Sequence, residues 1–597
     1  MRRRDILKHA AAMSSLSLIS AVQVASATPT FRRIRPGDPN WPNAASWQRL
    51  NQAVGGKLIK GQSLLTSCAP DGSDSACADL EANLKNPFFL GDQPSGTQVS
   101  GWLNAWTPAP SAYVIHAHSS ADVVAGVNFA REHRLRLVVK GTGHSYQGTS
   151  NAPDSLLIWT RAMTEVTVHD RFTPKGLEGK ISPCTAVTAE AGAMWIDLYH
   201  AVTTEAGRYV QGGGCTDVGV AGLIQSGGFG SFSKGFGTAA SNLLEAEIVT
   251  ADGVARTVNA VSDPDLFWAI KGGGGGSWGV VTKLTLRTHE LPQHFGVAWG
   301  MVKAHSDEAL RRLIARFADH YAETLFNPHW GEQVSIYPDN RFEISMVCQG
   351  LEETDVKRAW TPFFAWIEAN ALDFTIAGGH GAHATDAQHW WDVEGNPSMT
   401  PDRRPNAPSY HGWWNGDQGQ VGVFVHGFES LWLPASLLRV ARRPQLADAL
   451  FRASRFKRVQ LHFNKGIAGA PSEAVTASLD TATNRVACEA FALAIIADGE
   501  GPAYPGMKRP SMDLDAAHAD ARQIDRANAE LRKIVPDGGS YVSESNYFNP
   551  RWRSAFWGEH YQRLAAVKAK YDPNGLFFVH HGVGSEAWSA DGFTRLD

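Results

Sequence analysis

Several features that would narrow the function quickly are missing from this chain of 597 residues. Past the N-terminal segment there is no run of about 18 uninterrupted apolar residues, which leaves no candidate membrane-spanning helix. No CxxC pair and no HExxH occurs, so neither a thioredoxin-like redox site nor a zinc-protease site has support, and no metal site is expected. A repeat of fixed period is also lacking, which sets solenoids and propellers aside. Positive charge is not in excess: 55 Lys+Arg stand against 59 Asp+Glu, a net charge of −4, which offers nothing to a nucleic acid. What is present is a composition able to fold, with 43% hydrophobic and 19% charged residues. The length exceeds what one core supports, so two large domains are expected. Two counts are high, 58 Gly and 20 Trp. The glycines permit close backbone approaches, and the tryptophans must be buried or line a cavity.

Residues 1–27 read as a targeting segment. Arg2, Arg3 and Arg4 precede Asp5-Ile6-Leu7-Lys8, a mildly apolar stretch follows, and Ala25-Ser26-Ala27 supplies small residues for cleavage. The RRxILK pattern resembles a bacterial twin-arginine signal, which implies export of an already folded protein to the periplasm or the medium. An untargeted basic N-terminus is the alternative. Export makes Cys68 and Cys77, which flank a flexible loop, candidates for a disulfide rather than two free thiols. Cys184, Cys348 and Cys488 sit on apolar segments and are expected to fill core space.

From Tyr113 to Leu286 short apolar runs alternate with helical ones. Ser119 to Glu132 carries an N-cap serine and helical apolar spacing, and Leu135 to Val139 follows as a strand. Further helices are expected over Ala193 to Glu205 and Asp263 to Lys271, with strands over Leu244 to Thr250 and Val280 to Leu286. Beyond Leu291, strand patterns at Gln333 to Tyr337, Phe342 to Val347, Val421 to Phe428 and Arg458 to Phe463 alternate with helical ones, which suits an antiparallel sheet covered by helices. The tail from Pro550 to Tyr571 reads as one helix stopped by Asp572-Pro573-Asn574-Gly575. The alternation from Tyr113 to Leu286 is that of an α/β or an α+β domain.

Three glycine-rich segments fall in the first half: Lys140 to Gly148, Gly212 to Gly222 and Gly272 to Gly279. Such backbone can approach phosphate oxygens and point N–H groups at them. Gly274, Gly276 and Gly279 match the dinucleotide fingerprint by letters, but they follow a helix and precede a strand, the reverse of the order that a Rossmann turn requires. The first segment places a lone histidine, His144, among glycines right after a strand, and the second a lone cysteine, Cys215, in a run with little else that is reactive.

The segments KGTGHS and GGCTDVGVAGLIQSGGFGSFSKGFG, together with the strand LEAEIVTADG from Leu244 to Gly253, resemble the flavin domain of the vanillyl-alcohol oxidase superfamily, and within it the berberine-bridge-enzyme-like FAD oxidases. The tail agrees through YVSES from Tyr541, WGEHYQRL from Trp557 and KYDPNGLF from Lys570. Leu461 to Gly466 and Val583 to Glu586 are similar to a microbial branch of isoamyl-alcohol-oxidase-like proteins. The resemblance implies a PCMH-type two-part FAD-binding domain over 28–290 with its core at about 107–291, a substrate domain over 291–530, and a C-terminal segment, 531–597, returning to the first domain.

It also implies a bicovalent cofactor, with His144 bonded to the flavin 8α-methyl and Cys215 to C6; attachment through His144 alone is the fallback. FAD contacts carry over to Lys140, Gly141, Thr142, Gly143, Ser145 and Gly148 of the first loop, to Val218, Gly219, Gly222, Gly227 and Gly228 of the second, and to Val281, which with Val280 would seat the adenine half. Where relatives carry RGGGH or RSGGH, Lys140 would keep a positive charge for the phosphates and Thr142 would add a hydroxyl. A small residue at Val218 implies oxygen access beside the flavin, and so an oxidase making hydrogen peroxide. Catalysis needs a base for a substrate hydroxyl while hydride leaves carbon. Tyr541 and Glu544 match the family's tail motif, although Ser543 stands where it often has asparagine. His380, His383, Trp390, Trp391, Trp413 and Trp414 make a His/Trp-rich segment, read either as stacking surface for a substrate or as packing, and His462 and Asn464 are placed toward the flavin. The expected substrate is a small alcohol, sugar or phenolic, with dioxygen as acceptor. Oxidative cyclisation or dehydrogenation of a secondary metabolite, and a flavin-bearing binding or stress protein, are the alternatives. No oligomeric state follows from the sequence.

Overall fold

The computed structural model describes residues 31–66, 68, 75–508 and 511–596; the targeting segment lies outside the described residues. A four-stranded sheet begins the first domain, in the order Leu58–Lys60, Tyr113–His116, Ser155–Trp159, Arg136–Lys140, with the last three parallel. Helix Ser120–Glu132 makes the crossover. The Ser119 side chain accepts from Asp122 N at 3.3 Å at its start, and Val123, Val127 and Ala130 are buried under it. The central strand, Ser155–Trp159, is buried along its whole length, as a parallel strand covered on both faces should be.

A second sheet runs Ala255–Asn259, Leu243–Val249, Val280–Glu290, Cys184–Glu190, Val166–Phe172, antiparallel throughout. The helix expected over 193–205 is α-helical only at Trp195–Tyr199 and widens into a π-turn over His200–Glu205. The substrate domain is built on an eight-stranded sheet from Phe374–Asp386 at one edge, through His294–Ala304, Arg341–Gln349, Trp330–Ile336, Val459–His462, Ala490–Glu500 and Phe424–Pro434, to Gly101–Trp102 at the other. All its pairs are antiparallel except the last, which recruits residues from near the start of the chain. Helices Asp307–His320, Glu353–Ala369, Arg443–Ser454 and Leu514–Arg532 bury Leu313, Phe363, Leu450 and Leu531 in a core shared with this sheet.

The tail is two helices, Trp552–Trp557 and Tyr561–Tyr571, rather than one, because Gly558 at φ +53 ends the first. It packs on the first domain: Trp557 Nε1 donates to Gly272 O at 3.1 Å, Lys568 Nζ donates to Ser277 O at 2.7 Å, and Phe577 bridges Leu137 in parallel. Cys68 and Cys77 form a disulfide. Cys348 is buried as a filler should be, whereas Cys184 and Cys488 keep partial exposure. No helix among the described residues is long and apolar enough to cross a membrane.

Candidate active site

The strand Arg136–Lys140 ends at the first glycine segment, the usual place for a ligand at the carboxyl edge of parallel strands. Gly143 turns there at φ +88, and a Cβ would lie 3.0 Å from Gly96 O. Thr142 Oγ1 accepts from Gly219 N at 3.0 Å, which ties the first segment to the second, and Gly274 N donates to Gln225 O at 2.8 Å, which ties the second to the third. One long cleft runs between the three segments, closed by Phe577 to Gly582 on one side and by Tyr541 to Glu544, Lys465, Asp417 and Gln420 at one end. Gly276, at φ +74, belongs to its wall, and a Cβ there would come within 2.6 Å of Val579.

Gly141, Thr142, Gly143, His144, Ser145, Cys215, Val218, Gly219, Gly222, Val281, Tyr541 and Glu544 all line this cleft. His144 Nε2 pairs with the buried Asp217 carboxylate, leaving Nδ1 as its free ring nitrogen. Burial pushes the Cys215 thiol well up, with Asp417 and Asp217 adding to it. Glu544 is held by Lys465, whose Nζ lies 2.6 and 2.5 Å from its two oxygens. Tyr541 lies edge-on to Phe229, ring centroids 5.2 Å apart, and burial raises its phenol above the usual range.

Several expectations are corrected. Lys140 does not offer its charge to a phosphate: its buried Nζ donates to the carbonyls of Gln93, Pro94 and Gly96 at 2.6, 2.6 and 3.0 Å, and burial lowers it to about 7. Gly148, Gly227 and Gly228 stand off the cleft, where added Cβ atoms would strike Trp106, Thr483 and Ala239 respectively, so they are demanded by packing. Val280 is likewise core, behind Val281. His462 is half-buried and stands off the cleft, and Asn464 turns to Glu332; their neighbour Lys465 is the one that reaches in. Trp390, Trp391 and Trp413 are buried in the first domain's core, with Trp391 stacked on Tyr199 at 4.0 Å, and Trp414 Nε1 donates to Gly214 O. His380 packs on Phe364 at the sheet edge. The residues that sequence reasoning missed are Asp217, Asp417 and Lys465. Asp217 lies inside the cysteine segment and Lys465 inside Leu461 to Gly466, but neither motif points to the place of the side chain, and Asp417 carries no local signal.

The polar groups present suit a flavin dinucleotide. Buried Gln147 Oε1, Gln225 Oε1, Asp417 Oδ2 and His581 Nδ1 line the cleft without a hydrogen-bond partner, and Gly143 and Gly276 let the backbone of its wall pack too closely for a Cβ. Comparison with known proteins bears this out. The family "FAD binding domain" matches residues 110–259, and "Berberine and berberine like" matches 540–584. The FAD-linked oxidoreductase patO of Penicillium expansum is 27% identical over 97% of this chain and 96% of its own. The fold is that of a VAO-type flavoprotein from Myceliophthora thermophila, MtVAO615 (TM-score 0.77, 24% identity, 94% of this chain and 100% of that one). It is also that of glucooligosaccharide oxidase from Acremonium strictum, which carries a 6-S-cysteinyl, 8α-N1-histidyl FAD (TM-score 0.59, 18% identity, 80% and 92%). Cleft, FAD-binding segment and berberine-like tail together make the chain an FAD-linked oxidoreductase, similar to the berberine-bridge-enzyme-like, VAO-type proteins.

Proposed function

We propose that the protein is an oxidase that removes two electrons from a small hydroxyl-bearing substrate and passes them to dioxygen, with FAD bonded to both His144 and Cys215. The observation that carries it is the convergence of His144 and Cys215, from separate glycine segments, on one cleft that ends at Tyr541, Glu544 and Lys465. The Acremonium enzyme, with its histidyl and cysteinyl links, supports the same pairing here. When bound, the flavin supplies the hydride acceptor. The chain does the rest. Asp217 fixes the His144 ring through Nε2 and leaves Nδ1 to make the link. The Glu544 carboxylate, held by Lys465, takes the substrate hydroxyl proton, and Tyr541, which burial keeps protonated, orients the hydroxyl by hydrogen bonding. Val218, small and at the cleft wall, leaves room for dioxygen. The Cys68–Cys77 disulfide supports the periplasmic or extracellular destination read from the N-terminal segment. The isoamyl-alcohol-oxidase-like branch remains the finer placement, carried by Leu461 to Gly466 and Val583 to Glu586.

Acid precipitation tests the links. Yellow colour should stay wholly with the pellet, in wild type and in His144→Ala and Cys215→Ala separately; colour lost to the supernatant from either single variant refutes two links. Hydrogen peroxide released over a panel of alcohols, sugars and phenolics tests the activity. Turnover with an artificial acceptor but no peroxide would replace the oxidase by a dehydrogenase.

A further inference from the structure

One carboxyl group in the cleft has no part in that reaction. Asp417 belongs to a short loop of the substrate domain, residues 412–420, which is hooked to the cysteine segment on both sides of Cys215. Trp414 Nε1 donates to Gly214 O at 3.1 Å, and Thr216 Oγ1 donates to Gly412 O at 2.6 Å. The loop is braced from behind as well. Gly412–Trp414 pairs with Met399–Pro401, and Gln418 Nε2 donates to Lys85 O at 2.8 Å while its Oε1 accepts from Trp413 Nε1 at 2.9 Å. So held, the Asp417 carboxyl faces the Cys215 thiol in the same cleft, and its Oδ2 is buried with no hydrogen-bond partner.

The contact answers a chemical difficulty. A thiol is a nucleophile only as thiolate, and burial keeps the Cys215 proton on. Lys465, whose charge acts on the thiol, is already committed to Glu544, and Asp217 is committed to His144. Asp217, Glu332 and His144 face Asp417, and Tyr146 faces both it and the thiol. Burial and the Asp217 charge raise the Asp417 carboxyl to about 7, which makes it a far better proton acceptor than an ordinary aspartate while leaving much of it ionised at neutral pH.

Building on the two-link reading, we propose that Asp417 is the base that takes the Cys215 proton when the sulfur bonds to flavin C6. The S–H bond breaks toward Asp417, the S–C6 bond forms, and the C6 hydrogen leaves as a proton. The two electrons enter the ring system and pass to dioxygen, which with the two protons becomes hydrogen peroxide; Asp417 returns to its starting state. The Trp-rich loop thereby acquires a purpose: it carries a base from one domain to a cysteine of the other.

Alkylation of denatured holoenzyme reads the step without measuring turnover. In wild type, iodoacetamide should label Cys184, Cys348 and Cys488 and leave Cys215 unlabelled, its peptide carrying FAD. In Asp417→Asn, Cys215 should be labelled in most molecules, at least ten times the wild-type fraction, while FAD stays on the His144 peptide and reports a folded, loaded protein. Asp417→Glu should restore protection. Trp414→Phe, which keeps the carboxyl and the ring bulk but removes one hook, should raise labelling several-fold; it serves if Asp417→Asn does not accumulate. Protection of Cys215 at the wild-type level in Asp417→Asn, or unchanged labelling in Trp414→Phe when that variant alone is obtained, overturns the proposal. Labelling of Cys215 in wild type instead overturns the two-link reading on which it stands.

Discussion

The two walls of the cleft are made differently. On the first-domain side the wall is largely backbone: Gly143, Gly219 and Gly276 bring the chain close around His144, Asp217 and Cys215, and the buried Lys140 faces away and holds the segment 93–96. On the side of the substrate domain and tail the wall is ionisable side chains, Asp417, Lys465, Glu544 and Tyr541, delivered by three stretches of chain. Backbone can hold a cofactor of fixed shape but cannot exchange protons, whereas ionisable side chains can.

Damage to the first wall should therefore unseat the cofactor, and damage to the second should spare it. Gly276→Val puts a branched side chain at φ +74 against Val579, and should cost about 2–4 kcal/mol of stability with most bound FAD lost, read by thermal melting and the flavin-to-protein absorbance ratio. Normal loading would mean that the wall yields more readily than its geometry implies. Lys465→Met strands the Glu544 carboxylate; kcat/KM should fall about 100-fold, roughly 2.7 kcal/mol, with full FAD content. If FAD content fell with it, the two walls would not be separable. Lys140→Met leaves three carbonyls without their donor and should cost about 1–3 kcal/mol in urea unfolding while FAD attachment stays complete; loss of attachment at unchanged stability would restore the lysine to the phosphates.

The smallest effect concerns pH. Asp417 is raised in the folded protein to about 7 from an ordinary 3.8, so between these values the folded state binds more protons than the unfolded. Its contribution is full below about pH 4 and is lost as pH rises through 7. The difference in unfolding free energy between wild type and Asp417→Asn, read from urea melts, should thus shift against wild type from pH 5 to pH 8, by about 1–2 kcal/mol once solvent screening is allowed for. A constant difference would place the carboxyl in ordinary surroundings.

The same division explains what could be read from the sequence. Helix Ser120–Glu132 and its strand carry their own cap and periodicity, and His144 and Cys215 stand out because their glycine neighbours need a ligand to face. Lys140 misled because a cation after a strand looks like a phosphate binder; only the segment 93–96 folding over it, some 45 residues earlier in the chain, makes it a buried donor. The tryptophans misled through their number: Trp391 and Trp413 pack inside the first domain although the chain supplies them from the second. Asp417 has no local signature, and Lys465 has only the motif Leu461 to Gly466, which does not say where its side chain goes. Asp417 is placed by the hooks between its loop and the cysteine segment, and Lys465 by the pairing of strand Val459–His462 with Trp330–Ile336 and Ala490–Glu500.

The ends of the described chain are knitted to one another. Arg33 N donates to Phe593 O, Arg595 N donates to Phe31 O, and the Arg33 guanidinium lies over Trp588 while reaching the carbonyls of Gly575 and Leu576. Phe577 to Gly582, part of the cleft itself, thus complete the first domain from far along the chain, and Arg33 and Gly575 meet across 542 positions of sequence. The cleft is therefore closed by the least local contacts of the fold, which makes its completion a late and slow event in folding.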